Sequence, residues 1–364
     1  MNKSLNILVT AIGGGGHGEQ ILKALRHAKD NRYNLFGADS NSNCPQFALV
    51  EKGFVVPRAD SPDFLSAVLS ICKKYSINAL FHGCETELQK YSDNRNLFYS
   101  EDIFLPINTK NTIAKCMDKL ETASFLKEIG IPGPQSALIE NYEQAEKLNF
   151  FPMILKPNKG SGGSKDCYIV QNAHQMRAIL LYLQISSDNP ILAQEYVGSS
   201  EKEYTVGVLH DMDGNYINAI SIRRELKSGL NIKLSVKNQL NREDLGPHLI
   251  VSSGISMGLV ERNEEVIDTC KKIAWRLDAR GAINIQGRLT SEGFKVFEIN
   301  PRFSGTTSIR ALMGYNEPDI LLKKHLMKEE VRQDFPYKEG LVLRTLSEEI
   351  VDNGNFLEQW PSKS

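Results

Sequence analysis

Two neighbouring strand patterns between residues 282 and 300 constrain the fold more than any other feature, because they combine apolar side chains with oxygen-bearing ones. In the second pattern the side chains alternate between two faces, so that Glu298 and Asn300 point the same way. Their neighbours Phe297 and Ile299 are apolar. The pattern therefore predicts an antiparallel hairpin with one polar face.

The turn of this hairpin determines which residues face each other. A three-residue loop, with Gly293 in the left-handed conformation, pairs Thr290 with Phe294. That register places Gln286 opposite Glu298, and a slip of one residue would turn Gln286 to the other face. Glutamine, glutamate and asparagine oxygens are hard ligands, which Mg²⁺ prefers when phosphate oxygens complete its octahedron. A solvated surface face is the alternative interpretation.

The segment after the hairpin adds charge and hydroxyl groups. Arg302 and Arg310 suit bidentate binding of phosphate or carboxylate, and the loop between them is rich in serine and threonine. Exposed hairpins seldom collect all of these groups. This neighbourhood favours a binding site over a solvated face.

A second group of candidate residues lies upstream. An apolar strand ends at Lys156, an unfavourable place for an ammonium group unless it meets an anion. The following loop, residues 158–166, is rich in glycine and offers backbone N–H groups to phosphate oxygens, but it lacks the GxxxxGK(S/T) pattern of a P-loop. The next strand presents Glu195 and Val197, with Glu203 soon afterwards, which suits adenine edges and ribose hydroxyls.

The first hundred residues alternate strand and helix patterns, which is typical of a small open parallel α/β domain. After the first strand, Gly13, Gly15 and Gly18 match GxGxxG, and Asp39 follows 21 residues beyond Gly18. That spacing is typical of dinucleotide-binding folds. A single match among four consecutive glycines is weak, and a tight turn without a ligand is an alternative.

A third interpretation is that the free N–H groups at the start of the first helix hold a substrate anion such as a carboxylate. Gly15, Gly16 and His17 would then contact substrate. His17 and His82 lie near predicted loop ends, and the sequence does not decide between substrate contact and a structural role for either.

The order of these motifs resembles the ATP-grasp superfamily, most closely its carbamoyl-phosphate-synthase-like branch. The matching signatures span roughly residues 115 to 315 in the family's order and spacing, and EINPR is the most specific. They are DK at 118–119, ILKP at 154–157, GSGGS at 160–164, QEYV followed by KEYTV, and NIQ followed by FEINPRFSG.

For ATP binding, the resemblance implies that Lys119 and Lys156 grip the phosphates. It implies that Glu195 and Val197 hold the adenine and that Glu203 holds the ribose. A loop would close over the phosphates; its residues are Gly160, Ser161, Gly162, Gly163 and Ser164.

For catalysis, the resemblance implies a magnesium or manganese site formed by Gln286, Glu298 and Asn300. Arg302 would steady the γ-phosphate or the acyl phosphate, and Lys156 would assist it as the second catalytic residue. The stretch from Arg223 to Lys237 matches no family signature, and we expect it to face the acceptor. Arg310 is a further candidate for substrate contact.

The predicted fold class is α/β and α+β, in which an N-terminal open parallel α/β domain precedes an ATP-grasp module of two α+β subdomains with the nucleotide between them. The predicted units are a pre-ATP-grasp domain at 1–108, a small subdomain with the glycine-rich loop at 109–192, and a C-terminal subdomain with the metal site at 193–345. A polar tail covers 346–364. The single module argues against a complete carbamoyl phosphate synthase, whose large subunit has two modules and further domains.

Composition limits the classes of partner. The 43 basic and 44 acidic side chains give a net charge of −1, which argues against a broad nucleic-acid-binding face. Because no uninterrupted apolar stretch reaches ~18 residues and the start reads as a strand, neither a membrane span nor a signal peptide is predicted. Six cysteines without CxxC spacing favour free thiols in a reducing cytoplasm. Dimers are common in the family that the chain resembles, so a homodimer is a further expectation.

The activity that these observations predict is an ADP-forming ligase that uses ATP and Mg²⁺. It would activate a small-molecule carboxylate as an acyl phosphate and join it to an amine. Two alternatives remain open: an NAD(P)-dependent oxidoreductase that uses the N-terminal glycines and Asp39, and an inactive ATP-binding regulator.

Overall fold

A computed structural model describes residues 4–14, 16–28, 32–131, 133–159, 166–349 and 357–360. Within these ranges the strands form sheets of five, six and four strands and a two-stranded ribbon. None of the helices there has the length and apolar composition needed to cross a membrane.

The N-terminal sheet is parallel, and helices cover both of its faces. Its first strands are β1 (Leu5–Thr10), β2 (Tyr33–Asp39), β3 (Lys52–Val55) and β4 (Ala79–Phe81), in the spatial order β3-β2-β1-β4. Helices α1 (His17–Arg26) and α2 (Phe64–Lys74) connect them. Ile7 packs in the cluster that contains α1, whereas Leu8 packs with α2, so the helices lie on opposite faces. The strand order therefore reverses between β1 and β4, the kind of position at which open α/β sheets bind ligands.

Three short helices connect this sheet to the next part of the chain: α3 (Glu85–Asp93), α4 (Arg95–Tyr99) and α5 (Lys110–Met117). Helix α6 (Lys119–Glu128) follows directly, with the Asp118 carboxylate accepting hydrogen bonds from the N–H groups of its first turn.

The four-stranded sheet is antiparallel, and one of its faces is covered by helices. Its strands are β5 (Ser136–Ile139), β6 (Met153–Lys156), β7 (Tyr168–Val170) and β8 (Ile191–Glu195), in the order β5-β8-β6-β7. Helices α7 (Tyr142–Glu146) and α8 (Ala173–Leu183) pack on it. The small core contains Met153 and Leu155 from β6 and Met176 and Leu180 from α8.

The six-stranded sheet carries the polar face predicted from the sequence. The strands from residue 203 onward are β9 (Glu203–His210), β10 (Tyr216–Arg224), β11 (Ile232–Lys237), β12 (His248–Ser252), β13 (Gly258–Val260), β14 (Ala282–Thr290), β15 (Gly293–Asn300) and β16 (Gly340–Val342). Six of them form the sheet β15-β14-β9-β10-β13-β16, and β11 pairs with β12 as a ribbon.

Helix α9 (Glu264–Arg276) covers one face of this sheet, and Val206, Ile283 and Ile285 pack against it. Helices α10 (Thr307–Leu312) and α11 (Glu317–His325) lie near α1, on the other side. One face of each central strand is therefore apolar and buried, and the other is turned towards the rest of the molecule.

The segment predicted as a polar tail adds a strand to the N-terminal sheet. Strand β17 (Leu357–Gln359) pairs in parallel with β3 and extends the order to β17-β3-β2-β1-β4. The Glu358 carboxylate contacts the Lys52 and Lys74 ammonium groups, which explains why a polar segment docks there. The predicted fold class is confirmed, whereas the domain limits remain predictions.

Candidate active site

The hairpin of β14 and β15 presents the predicted polar face, although it reaches this arrangement by a different turn. Its loop has two residues rather than three, so the predicted pairing of Thr290 with Phe294 is wrong. A β-bulge then leaves Phe297 without a partner and shifts the register by one residue. As a result, Gln286 lies opposite Glu298, as predicted.

Two further side chains extend this face towards the other end of the hairpin. Asn284 lies opposite Asn300, and both side chains are buried. The Thr205 hydroxyl donates a 2.8 Å hydrogen bond to Oδ1 of Asn284. The face therefore carries four oxygen-bearing side chains in two facing pairs.

A narrow cleft of about 90 Å³ separates this face from the four-stranded sheet. Gln286 and Glu298 line one wall, and Lys156 and Glu195 line the other. The ammonium group of Lys156 donates a 2.7 Å hydrogen bond to Oε1 of Gln194. Burial lowers the pKa of Lys156 to about 8, although the nearby Glu298 carboxylate opposes this shift. Such an ammonium group is well placed to meet a bound anion.

Glu203 lies at the cleft but is already paired. Its carboxylate accepts a 3.0 Å hydrogen bond from Arg224 and a 2.9 Å bond from Arg288. Burial would raise the pKa of Glu203, but the two guanidinium groups outweigh this effect and the pKa is lowered. Glu203, predicted to hold a ribose, thus lies in a buried ion-pair network, and its contact with a ribose remains a prediction.

Arg288 is the centre of this network, and sequence reasoning missed it. Its guanidinium donates to the carbonyl oxygens of Val197 and Gly198 and lies 4.3 Å from the centre of the Tyr196 ring. It also donates to the carbonyl oxygen of Ile250 on β12. The Arg288 side chain thus links the β11–β12 ribbon to the segment that follows β8. Its position two residues after Gln286, on the same face of β14, was the available signal.

Arg302 connects the polar face with the N-terminal domain. Its guanidinium donates a 3.0 Å hydrogen bond to Oδ1 of Asn300 and a 2.6 Å bond to Glu85 at the start of α3. Burial raises the pKa of Glu85, but the Arg302 and Lys119 charges outweigh this effect and the pKa lies below its usual value. Glu85 is a second site residue that the sequence did not indicate.

A larger cavity of about 1160 Å³ opens where the strand order of the N-terminal sheet reverses. Gly14, Gly16 and His17 line it after β1, and the first residues of α3 line it after β4. Arg302 borders it from the opposite side. Gly16 and His17 thus lie where a substrate site was predicted, whereas Gly15 lies outside the described residues.

A small pocket of about 20 Å³ lies between the cleft and this cavity. It shares Lys119 and Glu298 with the cleft and Glu85 and Met117 with the cavity. The predicted closing loop, Gly160 to Ser164, lies outside the described residues. Lys159, immediately before it, reaches the Asp118 carboxylate at 3.2 Å. Two ligands bound in the cleft and the cavity would meet at this pocket.

Comparisons with known proteins match two segments of the chain. The family model described as "ATP-grasp in the biosynthetic pathway with Ter operon" matches residues 251–349. The model described as "PylC-like, N-terminal domain" matches residues 7–105. The chain is therefore similar to ATP-grasp proteins over residues 251–349.

Curated proteins similar to this chain include carbamoyl phosphate synthases. The N-terminal section of the large chain from Methanopyrus kandleri is 24% identical over 223 residues, which cover 60% of this chain and 37% of that protein. A carbamoyl-phosphate synthase from Methanobrevibacter smithii is 23% identical over 285 residues, 77% of this chain and 71% of that one. The chain therefore spans little more than a third of the first relative.

Solved ATP-grasp structures superpose over most of the chain. The biotin carboxylase domain of a Hydrogenobacter thermophilus 2-oxoglutarate carboxylase, with MgADP and bicarbonate, has a TM-score of 0.62 at 15% identity and covers 91% of this chain and 72% of its own. An L-amino acid ligase from Bacillus licheniformis has a TM-score of 0.62 at 14% identity, covering 92% and 78%. The TM-scores show a common fold, and at these identities they show the fold alone.

The donor set of the polar face fits a hard divalent cation. Gln286, Glu298 and Asn300 offer one carboxylate and two amide oxygens. The described ranges contain no group of three or more His, Cys, Asp or Glu side chains that could hold a metal. Because this face has one carboxylate, a cation here needs further oxygen ligands, such as nucleotide phosphates.

The structure corrects two further expectations. Arg310 is fully enclosed, pairs with Glu317 at 3.0 Å and donates a 2.6 Å hydrogen bond to Oδ1 of Asn284. Its guanidinium lies against Gly207, where a Cβ atom would come within 2.3 Å of it. Arg310 therefore supports the back of the polar face instead of contacting substrate.

Arg223 lies on the wrong face of β10 for the predicted acceptor contact. It pairs with Glu261, beside Tyr204, whose ring packs in the α9 cluster. The adjacent Arg224 points to the cleft side and binds Glu203. Adjacent residues of a strand point to opposite faces, so Arg223 and Arg224 lie on different sides of β10. The sequence contains no turn or pairing partner that shows which of the two arginines faces the cleft.

The Arg310–Glu317 pair yields a stability prediction. Replacing Glu317 with glutamine leaves the buried Arg310 charge without its counter-ion, and we expect the free energy of unfolding to fall by about 3 kcal/mol. Urea denaturation measures this loss. The matched control is Glu264→Gln, which removes an exposed ion pair with Arg262 and is expected to cost below about 1 kcal/mol. Equal losses in the two variants would contradict the assignment.

Proposed function

We propose that this protein is an ATP-grasp enzyme that acts as an ADP-forming carboxylate–amine ligase. The observation that carries the proposal is the facing pair Gln286 and Glu298, with Lys156 across the cleft and Arg302 at the passage to the larger cavity. The hard-cation donor set and the buried ammonium group thus line the cleft, and the guanidinium lines the neighbouring cavity. This arrangement suits phosphoryl transfer, in which positioning and charge neutralisation supply most of the catalysis.

The proposed reaction has two steps. A carboxylate oxygen attacks the γ-phosphorus of ATP, ADP leaves, and an acyl phosphate forms. An amine then attacks the acyl carbon and displaces phosphate. Magnesium, when bound, would neutralise phosphate charge and be held by Gln286, Glu298 and Asn300. Lys156 and Lys119 would bind the phosphates, and Arg302 would hold the transferred phosphoryl group.

The two cavities suggest where each substrate binds. ATP would occupy the cleft, with its base near Glu195 and Val197 and its phosphates towards Lys119. The small-molecule acid and amine would occupy the larger cavity. The connecting pocket would then hold the reacting phosphate. A homodimer and a cytoplasmic location remain predictions.

The oxidoreductase alternative is not supported. The Asp39 carboxylate accepts a 2.8 Å hydrogen bond from the Gly13 N–H and a 2.9 Å bond from the Asn41 N–H. A Cβ atom on Gly18 would lie 2.4 Å from the carbonyl oxygen of Ala11. The hydrogen bonds of Asp39 and the close packing at Gly18 therefore account for both residues without a bound dinucleotide.

Thermal shift separates nucleotide classes at low cost. We expect ATP with Mg²⁺ to raise the unfolding temperature, because a ligand that binds only the folded state stabilises it by about 2.7 kcal/mol at a concentration of 100 Kd. NADH and NADPH are expected to cause no shift. The reverse pattern would overturn the proposal.

The activity itself is tested by an ADP-release screen of acid–amine pairs. Release that depends on both substrates supports the ligase. ATP binding without ADP release for any pair would favour the regulator.

A further inference from the structure

Two histidines line the junction between the N-terminal domain and the active site, and the mechanism proposed so far does not use them. His17 is the first residue of α1, and His82 follows β4. Their exposed fractions are 7% and 2%, and their rings meet edge to face with centroids 5.1 Å apart. They sit where the strand order reverses.

The two rings are joined by one hydrogen bond. Nε2 of His17 lies 3.1 Å from Nδ1 of His82. Nδ1 of His17 has no hydrogen-bond partner among the residues that the structure describes, and it is not one of the fully buried atoms there that lack a partner. This nitrogen is therefore open to the larger cavity that His17 borders, where it is free to contact a ligand.

The surroundings keep both rings neutral. Burial is the main reason that the pKa of His17 lies well below its usual value, and the Arg302 guanidinium and His82 lower it further. Burial and Arg302 also lower the pKa of His82 to about 3. The other charged groups at this cavity are Glu85 on α3, Lys115 on α5, Asp118 and Glu121 at the start of α6, and Lys159.

We propose that His17 is a catalytic base for the second step, accepting at Nδ1 a proton from the amine that attacks the acyl phosphate, with His82 as its positioning residue. This inference rests on the proposed ligase function. It requires the tautomer in which Nε2 of His17 carries the hydrogen and donates it to Nδ1 of His82, which leaves the lone pair on Nδ1 facing the cavity.

The step balances without an additional reactant. An ammonium group, R–NH₃⁺, gives one proton to Nδ1 of His17 and becomes the free amine. The amine nitrogen attacks the acyl carbon, a C–N bond forms, and the C–O bond breaks with its electron pair leaving on phosphate. The second proton of the new amide nitrogen goes to that phosphate, which departs as HPO₄²⁻. The imidazolium then returns its proton to solvent.

Arg302 explains why a base of lowered pKa suits this place. A positive charge on His17 beside Arg302 is unfavourable in the free protein, so the ring waits in its neutral form. A bound acyl phosphate adds negative charge next to Arg302 and would raise the proton affinity of His17 when the amine arrives. The base would therefore act only after the first step has taken place.

The test compares two nucleophiles that differ in protonation. Hydroxylamine is unprotonated at neutral pH and traps acyl phosphates as hydroxamates, whereas ammonium must first lose a proton. To choose the acid, the standard amino acids, lactate, malate and glucuronate are each incubated with wild-type protein, ATP–Mg²⁺ and hydroxylamine. The first acid that gives a hydroxamate is used. The same acid is then used with ammonium chloride.

For His17→Gln we expect the rate with ammonium chloride at pH 7 to fall roughly 10²-fold, the usual size of a lost general base. The loss should shrink as pH rises, because the fraction of free ammonia increases. Hydroxamate formation should stay at the wild-type rate. His174→Gln, on the exposed surface of α8, is the matched control and should match wild type with both nucleophiles.

Three results would overturn the inference. An equal loss with both nucleophiles would mean a structural or acid-binding role, and an unchanged rate with ammonium would mean that His17 is not the base. Absence of hydroxamate from wild-type protein with every acid would remove the ligase function, and this inference with it. The unfolding temperature and the ATP–Mg²⁺ affinity of each variant are measured to check that it folds and binds nucleotide. If His17→Gln does not fold, His17→Asn is used in its place.

Discussion

Replacing Glu298 with glutamine is expected to reduce substrate-dependent ADP formation by roughly three to five orders of magnitude, the range found when a charge-stabilising group is lost from phosphoryl transfer. Glu298 is the only carboxylate among the three predicted metal ligands, and the variant keeps the size of the side chain. Without its negative charge, the two remaining amides are poor ligands for Mg²⁺. Initial rates of ADP release over a range of Mg²⁺ concentrations measure the effect.

The matched control for this variant lies in the same hairpin. Glu292 is exposed at the turn, and its carboxylate pairs with Lys295. Glu292→Gln removes one carboxylate from the hairpin without touching the polar face, and its ADP release should equal that of wild-type protein. Turnover of Glu298→Gln at the wild-type rate would contradict the metal assignment, and partial recovery at high Mg²⁺ would support it.

The hairpin shows why the sequence predicts a face more reliably than a turn. The predicted three-residue loop and the missing bulge are two errors of one residue each, and they cancel. Gln286 therefore lies opposite Glu298 although Thr290 does not pair with Phe294. Alternation along the strands carries the information about the face, whereas a bulge depends on packing that a single strand pattern does not encode.

The sequence does not predict which side chains pair when they are far apart along the chain. Glu85 binds Arg302 across 217 positions, and Arg288 binds Glu203 across 85. Glu85 looks like an ordinary surface charge in its own segment, and only the alternation along β14 after Gln286 points to Arg288. Burial of these ion pairs follows from how the domains pack. The motifs predicted residues that line the cleft, whereas the ion pairs around the cleft are visible only in the three-dimensional structure.

The same limit applies to the N-terminal glycines. Their sequence pattern allowed a dinucleotide, an anion or a plain turn, and spacing alone does not separate the three. In the structure the Asp39 oxygens accept hydrogen bonds from Gly13 and Asn41, which accounts for Asp39 without a dinucleotide, and a cavity lies beside Gly16. A substrate anion at this cavity remains a prediction.

Lys156→Met is expected to lower kcat/KM for ATP by roughly 10²- to 10³-fold, the usual effect of removing one charge-stabilising donor. The side chain lies at the end of β6, inside the cleft, and solvent cannot replace its charge. Steady-state kinetics with ATP as the varied substrate measure the loss. Lys147→Met, which removes an exposed ammonium group from the same subdomain, is the control and should leave kcat/KM unchanged.

The pH dependence of ATP binding distinguishes the charge of Lys156 from its shape. Because burial lowers the pKa of Lys156 to about 8, the charged fraction in the free protein falls as pH rises through that value. ATP–Mg²⁺ affinity should therefore be constant below pH 8 and fall by up to about tenfold per pH unit above it. Binding above pH 8 should also take up protons, which titration calorimetry in buffers of different ionisation enthalpy detects. Lys156→Met should lack both the pH dependence and the proton uptake, and their persistence in that variant would assign the titration to another group.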